Sequence, residues 1–86
     1  MLINLTQPPT ARTLAFLKLS LGPNDEIMVS DSASYLALYD SPLASKAYIR
    51  LSDSKKIGSA VHSSWSIIDD EQWLMLICKH EKTVTW

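Results

Sequence analysis

Cysteine occurs once in the 86 residues, at Cys78. A single thiol excludes an intramolecular disulfide framework and any zinc site built from several thiolates of this chain, and it fits a reducing compartment. Glycine is almost as scarce, with only Gly22 and Gly58. The Ser-rich stretches Ser30 to Ser34 and Ser63 to Ser66 therefore lack the glycines that a phosphate-cradling loop or a nucleophile elbow needs, and turns and caps account for them. Neither charge sign is in excess: eight basic and nine acidic residues give a formal net charge of -1, and no basic cluster exceeds Lys55-Lys56. Without a cationic footprint to neutralise phosphates, autonomous nucleic-acid binding is disfavoured. Long hydrophobic runs are missing as well. The opening stretch, Met1 to Pro9, has no basic region and only a short apolar run, so neither a signal peptide nor a membrane span is expected, and a cytoplasmic location is.

What is present is the composition of a folded domain, 47% hydrophobic and 20% charged, which argues against disorder. The length suits one domain, residues 1–86. A domain this small buries a limited share of its surface, so a partner subunit would add useful apolar burial.

Short apolar stretches alternate with helical ones. Leu2 to Leu5 reads as a strand ended by Pro8-Pro9. Thr10 can cap a helix over Ala11 to Leu21, with Leu14, Leu17 and Leu21 on one face and Arg12 and Lys18 toward water, and Gly22-Pro23-Asn24-Asp25 stops it. Glu26 to Ser30 has the apolar centre of a buried strand. Asp31 to Ser34 supplies turn chemistry for a weak helix over Tyr35 to Tyr39, which Asp40-Ser41-Pro42 breaks. Ala47 to Leu51 alternates as a third strand, Asp53 to Ala60 reads as a short weak helix or loop, and Trp65 to Ile68 as the last strand. This order predicts a single three-layer α/β/α sandwich with a mainly parallel sheet of four to five short strands.

The final segment carries the most information. Asp69 and Gln72 form a D-x-x-Q variant of the capping box, and Asp70 and Glu71 suit the positive end of a helix dipole. From Trp73 to Cys78 six apolar side chains follow without a break, whereas a helix covering one face of a small domain keeps a polar stripe. One face therefore fits the core and another is left for a partner.

Chemistry-bearing residues are few. Cys78 is the only candidate nucleophile, yet it lies at the end of a helix where the dipole does not lower a thiol pKa, so a packed structural thiol is the favoured reading over a persulfide carrier. His62 and His80 have no Asp, Glu or Cys at metal-ligand spacing and read as surface histidines, His80 near a helix end where the dipole favours it. Neither a metal nor a cofactor is expected. The acidic triplet Asp69-Asp70-Glu71 needs no role beyond capping. Trp65 fits the core, while Trp73 and Trp86 are large enough to anchor an interface.

These residues also resemble a family. The opening Met1-Leu2 strand with its polar-Pro turn, the stretch Asn24 to Leu38 and the ending Cys78-Lys-His-Glu-Lys-Thr-Val-Thr-Trp86 are similar to TusB/DsrH, the smallest subunit type of the DsrE/F/H sulfur-relay proteins, over nearly the whole chain. His80 and Trp86 match the family's His followed a few residues later by Trp. The chain departs from the family where an acidic-Gly turn after the second strand is replaced by Asp31-Ser32, and the region Ser52 to Ser64 is thin. The resemblance implies a cytoplasmic complex of homologous subunits, with TusC/DsrF-like and TusD/DsrE-like partners, that moves persulfide sulfur toward 2-thiolation of the tRNA wobble uridine. The tRNA modification machinery would be met only indirectly. In the dissimilatory DsrH branch a first-helix cysteine stands where this chain has Phe16, which favours the TusB-like branch, and the sulfur-accepting cysteine of the TusD/DsrE subunit has no counterpart here. The chain is therefore expected to be a non-catalytic subunit, with Trp73, Leu74, Ile77, His80 and Trp86 at core and subunit contacts.

Overall fold

Residues 1–58 and 60–86 are described by a computed structural model. Strands β1 (Leu2–Leu5), β2 (Glu26–Val29), β3 (Lys46–Arg50), β4 (Trp65–Ile68) and β5 (Thr83–Thr85) form one sheet in the order β4-β3-β2-β1-β5, every pair parallel. Helix α1 (Ala11–Ser20) follows β1, a 3-10 helix (Asp31–Leu38) follows β2, α2 (Leu51–Lys56) follows β3 and α3 (Asp70–Lys79) follows β4. The expected α/β/α sandwich is present.

The topology decides how the layers are filled. From β1 to β4 the chain steps one neighbour at a time in one direction, whereas the last connection returns across the sheet to the far side of β1. Parallel crossovers are right-handed, so reversing the direction of travel moves the connecting helix to the opposite face. Side chains alternate along each strand to match. Ile3, Leu5, Ile27, Val29, Ala47, Ile49 and Trp65 meet Leu17 of α1, Ala33 and Ala37 of the 3-10 helix, and Leu43 in one cluster. Their alternates Leu2, Met28 and Ile68 meet only Leu76 of α3, with Tyr48, Trp73 and Ile77 half-buried around them.

The helix starts follow the sequence. Thr10 Oγ1 accepts the Thr13 backbone N–H at 3.1 Å. At the head of α3 both arms of the capping box form: Asp69 Oδ1 accepts the Gln72 N–H at 2.8 Å, and Gln72 Oε1 accepts the Asp69 N–H at 3.0 Å. Such a cap contributes about 1 kcal/mol.

Three expectations need correction. Trp65–Ile68 is not the last strand, because Thr83–Thr85 adds β5 beside β1, zipped by Leu2 N–H to Lys82 O at 2.9 Å and Trp86 N–H to Asn4 O at 2.8 Å. The weak helix placed over Tyr35 to Tyr39 begins earlier, at Asp31, and is a 3-10 helix. Its start is a sharp turn in which Asp31 takes a φ of 52°, a left-handed conformation that Asp tolerates. Ser30 makes no side-chain cap bond to it, and its hydroxyl donates to Asn4 Oδ1 at 3.1 Å. The short helix or loop read over Asp53 to Ala60 contains a helix that starts earlier, over Leu51–Lys56, so Leu51 opens this helix and does not close the third strand, which is Lys46–Arg50; Ser59 lies outside the described residues.

Candidate functional site

Glu26 opens β2 and, by the strand's alternation, shares a face with Met28, beneath the end of α3. Its side chain is only 3% exposed. A carboxylate is tolerated there because three donors converge on it: Lys79 Nζ at 2.5 Å and His80 Nε2 at 2.9 Å from Oε1, and the Tyr48 hydroxyl on Oε2. Three elements thus meet here: β2 brings Glu26, β3 brings Tyr48, and the end of α3 brings Lys79 and its C-cap His80.

The electrostatics follow from this packing. Burial alone pushes the Glu26 pKa upward, but the hydrogen bonds from Lys79, Tyr48 and His80 outweigh it and hold the carboxyl down at about 2. Tyr48 is pushed up to about 12, first by burial and then by the ionised Glu26 that its hydroxyl serves. Glu26 is therefore a carboxylate and Tyr48 a proton donor throughout the neutral range. Buried, held at about 2 and engaged by donors on both oxygens, Glu26 is a weak base, so the arrangement suits a clamp better than a general base.

Beside the clamp an open depression of about 690 Å³ is lined by Asp25, Glu26, Lys46, Lys79, His80 and Lys82, among others. It lies at the amino ends of β1, β2, β3 and β5, whereas ligands of open parallel sheets are bound outside the carboxyl ends. At the carboxyl end of β3 a second polar contact holds α3. Arg50 Nε donates to the buried Asp53 at 3.1 Å, and its guanidinium lies 4.9 Å from the Trp73 ring centroid. A cation over an indole face contributes about 0.5–1 kcal/mol at a partly exposed site.

The residues singled out from sequence fall in different places. His80 is not a surface histidine: its side chain is 5% exposed and turned in to Glu26. Cys78 is not packed either, but exposed on the outer side of α3. Trp73 and Ile77 are half-buried against the sheet, Leu74 is 56% exposed, and Trp65 is buried with its indole N–H donated to Tyr39 O at 2.9 Å. Trp86 is 43% exposed and meets Phe16 of α1 edge to face, ring centroids 5.8 Å apart. His62 Nδ1 accepts the Ser64 N–H at 3.1 Å and lies 3.9 Å from Asp40 Oδ1. Since Ser64 and Asp40 approach the same ring nitrogen, the group closes a turn and does not form a relay. Among the described residues, no group of three or more His, Cys, Asp and Glu side chains could hold a metal ion, and no helix is long and apolar enough to cross a membrane.

Sequence reasoning missed Glu26, Tyr48, Arg50 and Asp53. One signal was available: the period-two alternation of Glu26-Ile27-Met28-Val29 puts the carboxylate on the same face as Met28. No protein-family model and no curated protein sequence matches the chain.

Proposed function

We propose that this chain is a non-catalytic, TusB-like subunit of a cytoplasmic sulfur-relay complex that serves 2-thiolation of the tRNA wobble uridine, and that it works by completing an assembly with TusC-like and TusD-like chains. The family reading rests on the ending Cys78 to Trp86 and the stretch Asn24 to Leu38. The observation that carries the assembly role is the pairing of engaged polar groups with exposed apolar ones. Glu26, Tyr48, Lys79 and His80 hold the molecule together, whereas Phe16, Leu19 and Trp86 stand exposed on the α1 side of the sheet and Leu74 and Met75 on the α3 side. Exposed aromatic anchors beside an edge strand are features of interfaces.

Co-expression with TusC- and TusD-like chains tests this reading. A complex that survives gel filtration and is weakened by Trp86→Ala and Phe16→Ala is expected. A folded chain that binds neither partner contradicts it.

The exposure of Cys78 favours one second reading, a persulfide carrier. Its thiolate would attack the terminal sulfur of a donor persulfide, forming Cys78–S–SH, breaking the donor S–S bond and releasing the donor thiolate. Persulfide labelling and mass spectrometry of wild type and Cys78→Ala decide between the two, because unchanged sulfur transfer in the variant removes the carrier role.

A further inference from the structure

Residues 81–86 are held differently from those before them. His80, which ends α3, has a side chain only 5% exposed and turned in to Glu26. From Glu81 to Trp86 no residue is buried: Val84 is half-buried at the margin of the first cluster, and the other five are exposed. Among the described residues β5 has one sheet neighbour, β1, and it lies at the edge of the sheet. Its hold on β1 is mainly backbone. Leu2 N–H donates to Lys82 O at 2.9 Å and Trp86 N–H to Asn4 O at 2.8 Å, while Thr6 donates to Trp86 O from its N–H at 2.8 Å and from its hydroxyl at 2.7 Å. Strand alternation puts Val84 and Trp86 on the α1 face, where the Trp86 ring meets Phe16.

Exposed backbone hydrogen bonds with little apolar burial mark a segment that opens locally at low free energy. The fixed points at its two ends decide how it opens. At the start, only Glu81 and Lys82 separate β5 from the buried contact between His80 and Glu26. At the far end stand Thr6 and Phe16. We propose that residues 81–86 form a strap, latched through His80 by Glu26 at one end and through Trp86 by Thr6 and Phe16 at the other, which docks on β1 and leaves it as a unit while the body of the fold stays closed.

The paired aromatic surface of Phe16 and Trp86 then exists only while the strap is docked, so a partner bound there holds the strap shut. That consequence rests on the assembly reading. The strap itself does not, and it is measured on the chain alone, so a failure to bind TusC- or TusD-like chains would overturn the assembly and leave the strap standing.

Limited trypsin digestion of the native chain, with mass spectrometry of the first fragments, is the test. The Lys82–Thr83 bond cannot enter a protease site while the Lys82 carbonyl is paired with Leu2, so cutting there reports undocking, and cutting at Lys18 within α1 reports opening of the body. Wild type should be cut at Lys82 well before Lys18. His80→Ala should speed the cut at Lys82 about tenfold relative to Lys18, the scale of one hydrogen bond to a charged group. Trp86→Ala should speed it roughly threefold, the scale of one aromatic contact; this position is exposed, so the variant keeps the test valid if His80→Ala weakens the whole fold. His80→Gln, which retains a side-chain donor, should return most of the protection lost in His80→Ala. Equal rates at Lys82 and Lys18 in wild type, or a ratio that rises in neither alanine variant, overturn the proposal, because β5 would then open only with the fold as a whole.

Discussion

One face of the sheet is covered by three helical segments and the other by α3 alone, and the two are held by different physics. On the first, Ile3, Leu5, Ile27, Val29 and Ile49 are almost fully buried among Leu17, Ala33, Ala37 and Leu43. Burying a residue of the Val, Leu or Ile kind contributes roughly 1.5–3 kcal/mol, so that cluster can hold its layer without directional contacts. On the second, four buried hydrophobics are joined by a buried carboxylate and by an arginine that links Asp53 to Trp73. A thin apolar layer stabilises little by itself, and polar groups fix where α3 sits. A helix held at its inner side and ends can leave its outer side apolar, which the last segment of this chain does.

Substitutions should separate the two faces, beginning with the apolar ones. Ile27→Ala, at the centre of the first cluster, is expected to cost about 3–5 kcal/mol, and Leu76→Ala, at the margin of the second, about 2–3 kcal/mol, as read by urea denaturation. Next comes the clamp. Glu26→Ala removes the shared acceptor of Lys79, His80 and Tyr48; a broken buried pair costs 3–5 kcal/mol, but Lys79 can turn to water, so about 2–3 kcal/mol is expected. Lys79→Ala, whose side chain is 60% exposed, should cost about 0–1 kcal/mol. If Lys79→Ala matched Glu26→Ala, the clamp would be a simple ion pair and not a hub.

The pH dependence has a definite sign. Glu26 has its folded pKa lowered from 4.5 to about 2, so its contribution is complete above the unfolded value and is lost as pH falls from about 4.5 toward 2. Tyr48 is raised from 10.0 to about 12, so its contribution is complete below 10 and lost as pH rises from 10 toward 12. Glu26→Gln should flatten the acid limb of the stability profile measured by chemical denaturation, leaving the part due to Asp25, which the Met1 amino group and the Gly22 N–H hold below its ordinary value. The smallest effects belong to the outer side of α3. Cys78→Ala should change stability by no more than about 0.5 kcal/mol, which separates an exposed thiol from a packed one.

Much of this fold is legible in the residues, and the exceptions have physical causes. The capping box at Asp69 and Gln72 and the Thr10 cap are local chemistry, and both form as their sequence suggests. Strand β5 is three residues long with Val84 its only apolar member, too short to show a period, and its pairing with β1 is set by the whole topology. The clamp is less visible still. Glu26 and His80 are 54 positions apart, and nothing local brings them together. Cys78 shows the limit of residue type as a guide, since free cysteines favour burial but the helix phase set by Leu76 turns this one outward.

Hydrogen exchange measured segment by segment at neutral pH, on wild type and Glu26→Gln, tests the two-face account most directly. Amides of Asp70–Lys79 and of β5 should exchange markedly faster in the variant, while those of β2, β3 and α1 keep their protection. Equal acceleration across the whole chain, or none in α3, would contradict it.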